Sequence, residues 1–95
     1  MPKYVIERTV PGVGEMGPDE LRGIAAQSNE VLRGLGPEVQ WVHSYVTDDK
    51  IFCVYNASGP DIIREHGRCG GFPVDAVHEV GTTIDPTTSE QVTAG

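Results

Sequence analysis

The chain has 95 residues and a formal net charge of −7. That length holds one domain with a small core and a narrow margin of stability. The acidic balance and scattered basic residues exclude a phosphate-backbone reader, and no apolar run is long enough to span a bilayer. The opening residues carry no charged-then-apolar leader, so a cytoplasmic location is expected.

Tyr4-Val-Ile-Glu-Arg-Thr-Val10 reads as the first strand. Tyr4, Ile6 and Arg8 share one face, Val5, Glu7 and Thr9 the other, and Pro11 ends the run. The loop from Pro11 to Gly17 contains Gly12-Val-Gly-Glu-Met-Gly17, a formal match to GxGxxG. So short a chain cannot hold a doubly wound dinucleotide domain, so these glycines read as loop residues. Pro18-Asp-Glu starts a helix, with Pro in the first turn and two acids near the positive end of the dipole. Leu21, Ile24, Ala25, Ser28, Val31, Leu32 and Leu35 recur at helical spacing, and Gly34, Gly36 and Pro37 end it.

Trp41 to Asn56 reads as a hairpin. Two runs rich in β-branched and aromatic residues flank Asp48-Asp49. A two-residue loop there pairs Val46 with Ile51, Ser44 with Cys53 and Val42 with Tyr55 on one face. Tyr45 with Phe52, His43 with Val54 and Trp41 with Asn56 then lie on the other. Ser58-Gly-Pro-Asp61 caps a second, short helix, with Ile62, Ile63, His66 and Cys69 on its buried side and a stop at Gly70-Gly71. A last strand is expected from about Ala76 to Ile84. Residues 1–86 form the domain, and 87–95 read as a flexible tail.

The order β-α-β-β-α-β predicts a four-stranded antiparallel sheet with both helices on one face, the ferredoxin-like α+β arrangement. Both hairpin faces carry large apolar groups, and two helices cover only one. A second copy of the chain is therefore expected on the bare side, making a homodimer through the sheet.

Imidazole, carboxylate and thiolate suit nickel, zinc or copper, but no pair of histidines has HxH or HxxxH spacing. A metal site has to be assembled in three dimensions or across a dimer. His66 on the apolar side of its helix needs a partner, either Glu7, Tyr55 or a metal; otherwise it is a hydrogen-bonded core residue. His43 lies beside Trp41 and Tyr45 as a half-exposed interface residue. Cys53, between Phe52 and Val54, reads as inert packing or as a nucleophile with a histidine base. The two cysteines form no CxxC motif and are expected to be reduced.

Trp41 to Tyr55, Ile63-Arg-Glu-His66, Gly71-Phe-Pro73 and Ile84-Asp-Pro86, with Tyr4-Val-Ile-Glu-Arg8, resemble the small bacterial nickel-binding proteins of ferredoxin-like fold. The resemblance runs from Tyr4 to Pro86. It implies a dimer that binds nickel, with sequestration as a role; it does not imply catalysis. Gly67, Arg68, Cys69 and Gly70 depart from the alanine and basic residues usual after the Arg-Glu-His segment. The expected metal ligands are His66, Glu7, His43 and Cys53. The alternative is a small ferredoxin-like enzyme, of monooxygenase or isomerase type, or a small-molecule-binding module. Its mark would be a pocket between sheet and helices containing His66 and Tyr55.

Overall fold

The computed structural model describes residues 1–90. Strands β1 (Lys3–Thr9), β2 (Val39–Val46), β3 (Lys50–Ala57) and β4 (Ala76–Glu79) form one sheet in the order β2-β3-β1-β4. Every neighbouring pair is antiparallel. Helices α1 (Pro18–Leu35) and α2 (Pro60–Gly70) supply the two crossovers. This is the ferredoxin-like α+β topology expected from the element order.

Alternation on β1 holds. Tyr4, Ile6 and Arg8 are buried, and Val5 and Glu7 are half-buried on the opposite face. The inward row of β3, Ile51, Cys53, Tyr55 and Ala57, joins Ile63 of α2 in the core. The longer helix covers this side more loosely. Only Ser28 of α1 is fully buried, while Leu21, Ile24, Ala25, Leu32 and Leu35 are half-buried. Among the described residues, no helix is long and apolar enough to cross a membrane.

The hairpin follows the expected register at its turn and departs from it further on. Val46 pairs with Ile51, Tyr45 with Phe52, Ser44 with Cys53 and His43 with Val54. A bulge then intervenes, and Trp41, not Val42, faces Tyr55. A bulge places two residues opposite one and turns the strand beyond it by one pleat. Val42 is the extra residue and is 45% exposed. Trp41 is thereby moved to the helix-side face, where its Nε1–H donates to Ser44 Oγ at 2.9 Å. Pairing by strict alternation cannot detect an inserted residue, which is why Trp41 was expected on the other face.

The GxGxxG stretch is a structural loop. Gly12 N donates to Asp49 Oδ1 at 3.0 Å, and Gly14 N donates to Asp48 O at 2.9 Å. A Cβ on Gly14 would stand 2.7 Å from Asp48 Cα. These amides therefore serve the hairpin turn, not a phosphate.

Two further expectations are corrected. The last strand ends at Glu79, with one more bond from Val80 N to Lys3 O. Next to Lys3 on β1 stands Pro2, which has no N–H to give the ladder, and residues 80–85 are not strand. Asp85 and Pro86–Glu90 form a short 3-10 turn instead, and the rest of the expected tail, residues 91–95, lies outside the described residues. Cys69 is exposed, and the buried positions of α2 are Ile63, His66, Gly67 and Gly70.

The two glycines explain that helix face. Gly67 costs about 1 kcal/mol of helix propensity against Ala. A Cβ there would lie 2.7 Å from Val74 Cγ2, and a Cβ on Gly70 would lie 2.3 Å from the Phe72 ring. The segment after the helix folds back across its last turn, and Phe72 N donates to Gly67 O at 2.8 Å. Gly70→Ala should displace Phe72 and destabilise the protein by about 1–3 kcal/mol. Chemical denaturation measures this; an unchanged midpoint would show that the ring has room to give.

Candidate functional site

A cavity of about 190 Å³ lies between α1, α2 and the helix-side face of the sheet. Its apolar wall comes from Leu21, Ile24 and Ala25 of α1, Trp41 and Val46 of β2, Ile51 of β3, and Phe72. Its polar groups are Arg8, Ser28, Ser44, Cys53, Tyr55 and His66. The bulge in β2 is what brings Trp41 into this wall.

Arg8 is 3% exposed. Its Nη1 donates to Pro73 O at 2.6 Å and its Nη2 to Tyr55 Oη at 3.4 Å. Its Cζ stands 5.7 Å from the centroid of the Phe72 ring, at the outer limit of a cation–π contact. Among the described residues no carboxylate lies within ion-pair distance of it. Asp75 feels the charge at longer range: its carboxyl is held below the usual carboxylate range, first by hydrogen bonding to Thr9 and only weakly by Arg8.

His66 is 1% exposed. Nε2 and Ser28 Oγ lie 3.1 Å apart. Nδ1 is buried and has no hydrogen-bond partner among the described residues. The ring rests against Tyr55 and Phe72, with centroids 5.4 and 5.5 Å away. Burial, helped by the charge of Arg8 and opposed by Ser28, pushes the imidazole down to about 4, so it is neutral at pH 7. Burial likewise pushes the Tyr55 hydroxyl up to about 12; Cys53 adds to the rise and Arg8 acts against it. A phenol that stays protonated keeps a donor available at neutral pH.

The four expected ligands fall on two sides of the sheet. His66 and Cys53 line the cavity under the helices. Glu7 and His43 lie on the outer face, in the rows of Phe52 and Val54. Glu7 Oε2 accepts from Lys50 Nζ at 2.7 Å, and His43 is exposed, edge-on to Tyr45 with ring centroids 4.9 Å apart. The partner expected for His66 was Glu7, Tyr55 or a metal; Ser28 takes that place. Helical spacing puts Ser28 on the correct face of α1 but gives it no role. Arg8 is not among the expected site residues, although its sharing a face with Tyr4 and Ile6 is the available signal. Both cysteines are free thiols, Cys53 buried and Cys69 exposed.

Four antiparallel strands with two helices on one face and a cavity between the layers define a ferredoxin-like α+β domain. The family model for nickel-responsive proteins of the SCO4226 type matches residues 4–80, and the chain belongs to that SCO4226-like family. The crystal structure of SCO4226 from Streptomyces coelicolor A3(2) matches with a TM-score of 0.72 at 14% identity, over 86% of this chain and 99% of that one. At that identity the likeness is one of fold. No curated protein matches the chain.

The neutral imidazole has a consequence for stability. Its folded value of about 4 lies below the ordinary 6.5, so between these values the unfolded chain takes up a proton that the folded chain refuses. Stability from this group is complete above pH 6.5 and is lost as pH falls toward 4, by up to about 3 kcal/mol. Denaturation curves across this window should show the loss in wild type and a flatter profile in His66→Gln. Parallel profiles would mean that His66 titrates normally.

Proposed function

We propose that this chain binds nickel as a homodimer, with the outer face of the sheet serving as both contact surface and metal-bearing surface. Membership of a nickel-responsive family supports the metal. The layout of the outer face supports the place. His43, Val54, Val5 and His78 form one row across all four strands, and Tyr45, Phe52, Glu7 and Ala76 form the next. Tyr45 is 60% exposed, so this apolar and imidazole-bearing surface is open to a partner.

One copy does not gather a full set of donors there. Among the described residues, no three His, Cys, Asp or Glu side chains are grouped to hold a metal ion. Strands stand about 4.8 Å apart, so His43 and His78, three spacings apart, are separated by about 14 Å at their Cα atoms. Metal–imidazole bonds are only about 2 Å long. A second copy against this face brings its own His43, Glu7 and His78 to those of the first. Exposed donors of this kind suit holding and releasing a metal, which is the chemistry of sequestration. Glu7 would exchange its contact with Lys50 for the ion. His66 and Cys53 lie on the other side of the sheet and take no part in this site.

Calorimetric titration of tag-free protein with nickel tests the reading. Saturable heat is expected, weakening in acid because protons compete for imidazole. His43→Ala should lose roughly tenfold or more in affinity, and His66→Ala should bind as wild type does. No heat above the buffer blank, or loss of binding in His66→Ala alone, would move the metal off this face. Sedimentation should show a dimer; a lone subunit at high concentration would remove the second half of the site.

A further inference from the structure

The cavity beneath the helices calls for an occupant that the nickel reading does not supply. Arg8 is a permanent cation, 3% exposed, and lines this space with no carboxylate in ion-pair distance among the described residues. A guanidinium has five N–H donors, and its contacts with Pro73 O and Tyr55 Oη use two of them. Burying a charge without a counter-ion is costly, and planar Arg is suited to carboxylate. Beside it are the phenol of Tyr55 and the ring of His66, whose Nδ1 has no partner among the described residues. The rest of the wall is aliphatic and aromatic, from Leu21, Ile24, Ala25, Trp41, Ile51 and Phe72.

We infer that this cavity is a binding site for a compact carboxylate with an apolar body of about one ring, its carboxylate on Arg8 and its body against α1 and Trp41. Size decides the body. A dry cavity of about 150 Å³ holds benzene, and this one, at about 190 Å³, has room for one ring and a carboxylate. A drug-sized or nucleotide ligand needs several hundred Å³ and would have to extend beyond this space. The acidic balance of the whole chain, −7, works against anions in general. Selection therefore rests on the one buried cation and the shape around it. The site is distinct from the outer face and needs no metal.

Trp41 is the chain's only tryptophan, so its emission reports directly on the cavity wall. In chelator-treated, metal-free buffer, benzoate and cyclohexanecarboxylate should change that emission saturably and shift the Ser28 amide resonance. Benzyl alcohol, similar in bulk and uncharged, should bind roughly tenfold or more weakly, because a hydrogen bond to a charged group contributes about 1.5–3 kcal/mol. Arg8→Met should remove this preference. Ala25→Phe, on a half-buried helix position, fills the cavity and should abolish binding of all three probes. If Arg8→Met fails to fold, the neutral probe and Ala25→Phe still decide. No saturable change with either acid overturns the inference. So does equal binding of benzyl alcohol by wild type, or undiminished binding by folded Ala25→Phe. Because nickel is absent throughout, none of these results bears on the metal reading.

Discussion

Arg8 is the third inward residue of β1, after Tyr4 and Ile6, and its charge sets the terms for the end of the sheet beneath α2. A guanidinium under two helices must be solvated by the protein itself. Here the carbonyl of Pro73, the hydroxyl of Tyr55 and the face of Phe72 do so. Phe72 and Pro73 belong to the segment after α2 and Tyr55 to β3, so satisfying one cation of β1 ties that segment to two central strands. The same charge helps keep His66 neutral, which lets an imidazole sit in the core with one nitrogen bonded to Ser28 and the other without a partner among the described residues.

That arrangement depends on two close approaches that only glycine permits. Phe72 reaches its position by crossing the last turn of α2 at Gly70, and Val74 follows over Gly67. The glycines weaken the helix as an isolated element and allow the chain to fold back over it. Local propensity is given up for packing, a common exchange where tertiary contacts dominate a short helix.

Most of the architecture was legible in the sequence because it rests on periodicity. The two-residue turn at Asp48-Asp49, the inward row of β1, the start of each helix at Pro18 and Pro60, and the order of elements all follow from local pattern. What escaped was non-local. The bulge at Val42 has no signature in a run of apolar and aromatic residues, yet it decides which side of the sheet receives Trp41. The end of β4 falls beside Lys3 and Pro2 of the neighbouring strand, and Pro2 has no N–H to give, which β4's own residues do not announce. Cys69 yields the buried face to Gly67 and Gly70 because Phe72 and Val74 claim the space. Among the site residues, His66 was identifiable as a buried group needing a partner, but its pairing with Ser28 joins two helices that the sequence keeps far apart. Arg8 was visible only as an alternation that placed a charge among core residues. The sheet then separates the ligand-type side chains, with His43 and Glu7 on one side and Cys53 and His66 on the other.

The strand order leaves β2 and β4 at the two rims of the sheet. Neither rim is suited to templating further chains. The bulge interrupts the ladder of free amides and carbonyls along β2, and β4 is only four residues long. Interrupted and short borders are the usual protection against ribbon growth and fibril formation. Growth through the sheet's borders, the sideways route to endless polymers, is thus obstructed at both ends of the strand order.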